Sequence, residues 1–254
     1  MMRDLCAQYP GSKKFVLWDG KSHWRYELLP TYKSRRVGTP EQLRIRAEYK
    51  SQSVDIERAL KALGIDQVRS PNCEADDLAA AYSFIFTDKK WFTELITSDK
   101  DWLMLVNEYV RWFDPVHDKR ADHSNIETVT GYRLARQYLD EKALAGDSSD
   151  TISGVGAIGK VGAKQLLKRF ERVPLFLKAY DEDKHALGKL PTSWVQLAED
   201  FDGRRKRYFR NVKLMELKPN LPGVTEKVTI KGEFNLPDFV ALCEELSFHS
   251  ILDH

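Results

Sequence analysis

The stretch Glu74-Ala75-Asp76-Asp77 carries three carboxylates in four residues, and an apolar run follows at residues 78–82. This pattern predicts a helix with an acidic first turn, because the positive end of the helix dipole favours negative side chains. On such a helix Glu74 and Asp77 lie three residues apart and share a face. Carboxylates this close raise one another's pKa unless positive charge lies among them, and divalent cations supply far more of it than a helix end does.

Two further acid pairs follow along the chain. Asp99 and Asp101 lie in Thr97-Ser98-Asp99-Lys100-Asp101, and Asp147 and Asp150 lie in Gly146-Asp147-Ser148-Ser149-Asp150. One interpretation is that all seven acids converge on hard metal ions, which prefer carboxylate oxygens. The alternative is three separate clusters of helix caps and surface acids, and any one cluster taken alone favours that alternative.

Apolar runs that alternate with helix-like segments organise residues 1–124. Phe15-Val16-Leu17-Trp18 is solidly apolar, which is typical of a strand in a parallel sheet buried on both faces. The other elements expected here are a helix capped by Thr39 and ending at Gly64, a strand at Val68, the acidic helix, and strands at residues 94–97 and 110–113. This alternation predicts an α/β domain with a parallel sheet. Asp99 and Asp101 follow the 94–97 strand, at the edge where such sheets place ligands.

From about residue 125 the strand signal fades, apart from Val228-Thr229-Ile230, and residues 125–254 are predicted to form a helical DNA-binding region. Four glycines fall within nine residues, after a helix expected at residues 132–144 and before another helix: Gly154, Gly156, Gly159 and Gly162. They predict a hairpin between two helices. The first three also fit G-x-G-x-x-G, but they follow a helix rather than a strand, so a dinucleotide site is rejected.

The glycine hairpin is suited to binding a nucleic-acid backbone. Gly156 and Gly159 lack side chains, so a phosphate can approach closely, and N–H groups at the start of the next helix can donate to it. Lys160 and Lys164 add positive charge. Hairpins of this kind often hold a monovalent cation on backbone carbonyls, and K⁺ is expected here. The alternative interpretation is a tight structural turn.

Charge is distributed unevenly, although the net charge is only +2. Residues 21–50 carry eight Lys/Arg against three acids, and residues 204–213 carry six Lys/Arg and no acid. Basic stretches on either side of acid clusters suit a polyanion that is cut at a metal site. Within residues 21–50, Tyr32 adjoins Lys33, Arg35 and Arg36, which favours a single-strand site where an aromatic face stacks a base. A solvated charge run is the alternative.

Cysteine usage and hydropathy indicate the compartment. The three cysteines are widely spaced and form no C-x-x-C, which argues against a disulfide framework or a zinc module and fits a reducing cytoplasm. No signal peptide is recognised, and no apolar run approaches the roughly 20 residues of a membrane span. We expect a cytoplasmic protein, without membrane association, that acts as a monomer.

Five motifs occur in a definite order along most of the chain. Trp18-Asp19-Gly20, Arg25 and residues 29–36 resemble the pattern F-D-x…R…Y-P-x-Y-K-x-x-R. Residues 74–77 match E-A-D-D, and residues 97–101 match T-x-D-K-D. Residues 146–159 match G-D-x-x-D-x-I-x-G-V-x-G-I-G except that Ala157 takes the place of one glycine, and residues 244–252 resemble a closing E-L-x-F-x-S-L-L. In this order they resemble the phage and bacterial 5′ nuclease family, which comprises 5′→3′ exonucleases and flap endonucleases.

The resemblance implies a nuclease that uses two Mg²⁺ or Mn²⁺ ions. The first ion would be held by Glu74, Asp76 and Asp77, with Asp19 nearby. The second would be held by Asp101, Asp147 and Asp150, with Asp99 near both ions. Two ions about 4 Å apart activate water and stabilise the leaving oxygen of an in-line displacement. The implied fold is a PIN-like α/β domain with a helical arch, plus the helix-hairpin-helix region.

The resemblance also implies a DNA substrate with a 5′ flap, 5′ end or junction, or an RNA–DNA primer. Lys33 and Arg36 would lie at the base of the arch and steer the scissile phosphate. Tyr32 would stack on an unpaired nucleotide, and Arg25 belongs to the same DNA-binding stretch.

One departure from the family pattern concerns the N-terminus. The family opens with an apolar strand that ends in a metal-organising aspartate, whereas only 18 residues precede Asp19 here and Asp4 follows no apolar strand. A central strand and a carboxylate are therefore expected to be missing. The alternative function is a catalytically impaired protein that binds DNA structures. A ribonuclease of the related PIN fold is a more distant alternative, and the glycine hairpin and the arch argue against it.

Overall fold

The computed structural model describes residues 6–34 and 38–252. Contacts divide the chain into two compact units: unit 1 comprises Met1–Lys21, Gly38–Leu78 and Gly223–His254, and unit 2 comprises Ser22–Val37 and Ala79–Pro222. These boundaries differ from the predicted division after residue 124, which stays a prediction about domains. The predicted α/β class is confirmed by the order of strands and helices. No helix within the two described ranges combines the length and apolar character that a membrane crossing requires.

Unit 1 contains a three-stranded sheet in the order Phe15–Leu17, Asp66–Arg69, Val228–Ile230. The first two strands are parallel, with Phe15 opposite Asp66. The second and third are antiparallel. The sheet is therefore mixed, whereas the sequence analysis predicts a parallel sheet. The central strand is the best buried of the three, and Val68 is fully buried.

The long helix of unit 1, Pro40–Ala62, begins where the sequence predicts. Thr39 Oγ1 accepts a hydrogen bond from the Gln42 backbone N–H at 3.3 Å, and Gln42 Oε1 accepts one from the Thr39 N–H at 3.1 Å. This reciprocal pair satisfies two N–H groups that the helix itself cannot. The helix ends before Gly64, whose φ of +73° is a conformation that glycine adopts readily.

Unit 2 contains a second three-stranded sheet in the order Thr93–Ile96, Val110–Asp114, Lys119–Ala121. The first pair is parallel and the second antiparallel, so this sheet is mixed as well. The first two strands were predicted. The third was missed because its sequence, Lys-Arg-Ala, has none of the apolar pattern that marks a strand.

The remaining elements are mostly helical. Unit 2 holds the helices His23–Leu28, Ile126–Thr130, Ala135–Ala145, Lys160–Phe170, Val173–Asp183, Thr192–Ala198 and Arg204–Met215, the 3-10 helices Lys100–Leu105 and Phe201–Gly203, and the short antiparallel pair Gly146–Asp147 and Ile152–Ser153. Unit 1 holds the helices Leu236–Glu245 and His249–Leu252 and the 3-10 helix Val224–Glu226. The acidic helix, Ala75–Asp88, begins in unit 1 and continues into unit 2.

The core of unit 2 is fixed by a buried carboxylate as well as by apolar packing. Asp140 is fully buried and accepts hydrogen bonds from Arg172 Nε at 2.5 Å, Tyr208 Oη at 2.8 Å and the Val173 N–H at 3.2 Å. These bonds tie three helices together around the cluster that includes Leu166. Because a buried carboxylate is costly unless it is paired and hydrogen-bonded, the network keeps the helices in one arrangement.

Candidate active site

The first acid set lies in unit 1, at the start of the acidic helix. Glu74 and Asp77 are buried, and Asp77 Oδ2 accepts a hydrogen bond from the Glu74 N–H at 2.9 Å. Asp19, which is exposed, accepts a hydrogen bond from the Ala75 N–H through Oδ1 at 3.1 Å. Both aspartates thus satisfy N–H groups at the positive end of the helix. The structure places Asp19 at the first turn of the helix that carries Asp76 and Asp77, and a shared metal site of these acids stays a prediction.

A close approach of the backbone places Asp19 there. A Cβ atom on the next residue, Gly20, would lie 2.2 Å from the carbonyl oxygen of Ser70 and 2.4 Å from that of Cys73. Only glycine fits such a gap, because backbone atoms cannot move aside as a flexible side chain can. The glycine after Asp19 is therefore a packing requirement of the acid set.

The second acid set lies in unit 2 and surrounds a lysine. The ammonium of Lys142, in the last turn of Ala135–Ala145, contacts the carboxylate of Asp101 and lies 2.8 Å from Asp147 Oδ2. Asp99 Oδ1 accepts a hydrogen bond from the Asp101 N–H at 2.8 Å. Asp147 Oδ1 accepts one from the Asp150 N–H at 3.4 Å. All four predicted acids of this set are therefore linked to one another.

Lys142 determines the electrostatics of this set. Burial disfavours a charged Asp147, but hydrogen bonds from Lys142 and Ser149 outweigh it and lower the pKa of Asp147 to about 2. Burial raises the pKa of Asp101, and Lys142 opposes that rise. Burial alone would lower the pKa of Lys142, yet the two carboxylates raise it above its usual value. Lys142 is thus a protonated internal counter-ion.

The donor atoms of the second set suit a hard divalent ion. Within residues 6–34 and 38–252, no three acid, histidine or cysteine side chains are arranged so that they could hold a metal ion as they stand. The ammonium of Lys142 lies between two of the acids in question. A cation is therefore already accommodated among carboxylate oxygens, which are the ligands that Mg²⁺ and Mn²⁺ prefer. The donor atoms of this set are therefore of the type that a hard divalent ion takes.

Two predicted DNA-binding residues have structural roles instead. Arg25 is buried, and it donates to the carbonyl oxygen of Leu214 through Nε at 2.9 Å and to Ser22 Oγ at 2.6 Å. Tyr32 is only 3% exposed, and its hydroxyl donates to Asp150 Oδ2 at 3.3 Å. Neither group presents a face to a nucleotide in this conformation, which corrects the predicted stacking by Tyr32 and the predicted DNA contact of Arg25.

Lys33 lies next to the second acid set. Its backbone N–H donates to the carbonyl oxygen of Asp150 at 2.8 Å, and its Nζ lies 5.1 Å from the ring centroid of Tyr32. Its φ of +53° is unusual for a residue with a side chain. Its role in steering a phosphate stays a prediction. Arg36, predicted to share that role, lies outside the described residues.

The glycine-rich turn lies in unit 2, between the short strand Ile152–Ser153 and the helix Lys160–Phe170, and its assignment as a helix-hairpin-helix stays a prediction. Val155 and Ile158 are buried in the core, whereas Gly156, Ala157 and Gly159 are exposed at the turn. Gly156 and Ala157 both have positive φ, +85° and +55°. Such a backbone costs free energy at Ala157, so the two buried anchors must hold the turn in place.

The helix Lys160–Phe170 begins directly after this turn, with Gly159 as its N-cap. Lys160 and Lys164 are exposed on it, and so is Val161, which is 75% exposed. An exposed turn that leads into a helix N-terminus with flanking lysines is an arrangement to which a phosphate can bind. The predicted role of Gly156, Gly159, Lys160 and Lys164 in binding DNA stays a proposal.

The sequence analysis missed Lys142. The signal available was its position in the last turn of a helix, five residues before Asp147, where a cation is favourable. Its contact with Asp101 could not be foreseen, because the two residues are 41 positions apart in the chain.

Comparisons with known proteins give the following matches. A family model described as 5′-3′ exonuclease, N-terminal resolvase-like domain, matches residues 1–135. The 5′-3′ exonuclease of Buchnera aphidicola is 32% identical over 171 residues, which cover 67% of this chain and 54% of that protein. Flap endonuclease Xni of Colwellia psychrerythraea is 28% identical over 199 residues, which cover 78% of this chain and 62% of that protein. The chain thus spans less than two thirds of the length of these two relatives.

A solved structure supports the fold. The 5′-exonuclease of bacteriophage T5, described with divalent zinc ions bound, superposes with a TM-score of 0.71 at 24% identity, over 85% of this chain and 78% of that chain. At this identity the likeness shows that the two chains share a fold.

Proposed function

The chain belongs to the 5′-3′ exonuclease family, and from this premise we propose that it is a metal-dependent 5′ nuclease that hydrolyses DNA phosphodiesters near 5′ ends, flaps or junctions. The named relatives, a 5′-3′ exonuclease and a flap endonuclease, support both modes of cleavage. The observation that carries the proposal is the convergence of Asp101 and Asp147 on one cation, Lys142. Carboxylates gathered in this way are suited to binding a divalent ion.

We assign the metal ligands by unit. In unit 1, Glu74, Asp76 and Asp77, with Asp19 beside them, would hold one Mg²⁺ or Mn²⁺ ion. In unit 2, Asp101, Asp147 and Asp150, with Asp99 beside them, would hold another. When bound, such ions make water a stronger nucleophile and stabilise the charge on the leaving oxygen.

The protein groups around the acids have their own parts in this proposal. The N–H groups at the start of the acidic helix keep the carboxylates of Asp19 and Asp77 oriented. The hydroxyl of Tyr32 orients Asp150. Lys142 neutralises Asp101 and Asp147 and holds their carboxylates in position, at the place that a metal ion would take.

DNA would be held mainly through its backbone. The exposed hairpin at Gly156 and Gly159, with Lys160 and Lys164, would bind a duplex phosphate, and K⁺ on hairpin carbonyls is part of this proposal. Lys33 and Arg36 would steer the scissile phosphate. The substrate range includes RNA–DNA primers, and the chain acts as a monomer. The three cysteines form no disulfide in the described part of the chain, which favours a reducing, cytoplasmic location.

The test is hydrolysis of a duplex with a labelled 5′ flap, with Mg²⁺ and with EDTA. Asp99→Asn should slow hydrolysis by several orders of magnitude while duplex binding survives, because the amide keeps the shape and loses the charge. Asp118→Asn is the matched control, since Asp118 is an exposed aspartate outside both acid sets and its φ of +47° is one that asparagine tolerates.

Two outcomes would contradict the proposal. Equal hydrolysis in EDTA would exclude a metal mechanism. Duplex binding without hydrolysis in any divalent ion would favour the alternative, a protein that binds DNA structures without cutting them.

A further inference from the structure

Arg204, the first residue of the helix Arg204–Met215, lies against the tip of the glycine hairpin. Its Nη1 donates to the carbonyl oxygen of Gly156 at 3.3 Å. A Cβ atom on Gly156 would lie 3.6 Å from Cζ, Nε and Nη2 alike, so the guanidinium packs face-on against the glycine. Its Cζ also lies 5.6 Å from the ring centroid of Phe201, within cation–π range. The guanidinium is therefore oriented by contacts with two other segments of unit 2.

The charge of Arg204 is not balanced in the way that its neighbours' charges are. Four cations in a row occupy the start of this helix, where the helix dipole disfavours positive charge. The three that follow Arg204 each face an aspartate: Arg205 with Asp181, Lys206 with Asp200 and Arg207 with Asp202. In the described part of the chain Arg204 has no carboxylate partner, and the bond to Gly156 is its one hydrogen bond. Most of its five N–H donors remain available.

The hairpin provides a reason for a cation at this point. The turn at Gly156 and Ala157 is exposed, and the Gly156 carbonyl oxygen would repel a phosphate that approached Lys160 and Lys164 on the next helix. The guanidinium of Arg204 on that carbonyl removes the repulsion. Its planar fork can then bind a phosphate oxygen in addition.

We propose that Arg204 is a further phosphate-binding residue, which extends the DNA-binding surface from the glycine hairpin to the start of the basic helix Arg204–Met215. The partner is the sugar-phosphate backbone of a duplex. Arg204 covers the Gly156 carbonyl and offers its remaining donors to a phosphate next to the one that Lys160 and Lys164 bind. This inference rests on the proposed function, because it adds a contact to the same interface.

The experiment measures binding of the full chain to a fluorescein-labelled duplex with a 5′ flap, by anisotropy in EDTA, over a series of KCl concentrations. Arg204→Gln keeps a donor for the Gly156 carbonyl but loses the charge. It should weaken binding about tenfold and flatten the slope of log K against log salt by about 0.9. Arg204→Lys, which keeps the charge, should retain most of the slope.

Three further variants and measurements make the result specific. Lys178→Ala removes one exposed charge on another helix, where Lys178 faces Glu182, and should leave the slope unchanged. The double variant Lys160→Ala with Lys164→Ala should flatten the slope by about twice the single amount. The melting temperature of Arg204→Gln should equal that of the wild type, since a purely structural role would lower it.

The outcomes separate the two proposals. If the wild type binds the duplex and Arg204→Gln binds with the same slope and affinity, the role of Arg204 is overturned and the proposed function stands. If Arg204→Gln and Arg204→Lys lose binding equally and both melt earlier, Arg204 is structural and the inference is again wrong. If the wild type binds no duplex, the proposed function fails and the role of Arg204 fails with it.

Discussion

Replacing Lys142 by glutamine tests the counter-ion in the second acid set most directly. The side chain of Lys142 is 13% exposed, and those of its partners Asp101 and Asp147 are 29% and 15% exposed. Lys142→Gln keeps much of the length of the side chain and removes its charge. Two carboxylates would then face each other with no cation between them.

The expected cost follows from this partial burial. Removing one partner of a buried ion pair costs about 3–5 kcal/mol, and the partial exposure of Asp101 favours the lower end. A loss of about 3 kcal/mol corresponds to a fall in melting temperature of about 6–12 °C for a chain of this size. Mg²⁺ at a hundred times its Kd should return about 2.7 kcal/mol to the variant. The wild type should gain less, because the ion must first displace the ammonium.

The assay is thermal unfolding in EDTA and in a series of Mg²⁺ concentrations. Lys178→Gln is the control, since Lys178 lies on the surface, 71% exposed, and faces Glu182 at 3.7 Å. The control should melt close to the wild type and respond to Mg²⁺ as the wild type does. The reasoning is refuted if Lys142→Gln melts with the wild type in EDTA and gains no more from Mg²⁺.

Two further predictions concern acid stability and the hairpin. Although burial opposes it, hydrogen bonds including one from Ser98 lower the pKa of Asp114 to about 2. The stabilisation by ionised Asp114 is therefore complete above the ordinary pKa near 4 and is lost as pH falls towards 2. The melting temperature of Asp114→Asn should therefore fall less than that of the wild type between pH 4 and pH 2. An equally steep fall in the variant would contradict this. Gly154→Ala would place a Cβ 2.4 Å from a backbone carbonyl oxygen and should cost about 1–3 kcal/mol in thermal melts, whereas Gly159→Ala meets no atom within 4 Å and should melt like the wild type. Equal melting temperatures for these two variants would show that the approach at Gly154 is not close.

The sequence was sufficient where a structural signal is local. The N-cap at Thr39 and the proline at the first helical position, Pro40, are signals within one helical turn, so the start of Pro40–Ala62 was predicted correctly. The strand Val110–Asp114 is apolar enough to be recognised on its own. The acidic helix likewise follows from its own composition.

The sequence was insufficient where a side chain's role is set by residues far along the chain. Tyr32 beside three cations has the local composition of a base-stacking site, yet its hydroxyl contacts Asp150, 118 positions away. The buried Arg25 donates a hydrogen bond through Nε to the carbonyl oxygen of Leu214, 189 positions away. Basic and aromatic residues are equally suited to a nucleic-acid surface and to a buried hydrogen-bond network, and only tertiary contacts distinguish the two.

The two candidate sites deal with unbalanced charge in opposite ways, and this difference predicts how each responds to its ligand. In the acid set of unit 2, Lys142 already neutralises Asp101 and Asp147, so a metal ion must displace an internal cation and its affinity is reduced by that competition. At the hairpin, Arg204 has no acid partner within the described residues, so a phosphate would bind without displacing anything. Removal of Lys142 should therefore strengthen the response of the protein to metal, whereas removal of the charge of Arg204 should only weaken the response to DNA. A replaceable counter-ion at Lys142 predicts that its substitution strengthens metal binding. A ligand-binding cation at Arg204 predicts that its substitution weakens DNA binding.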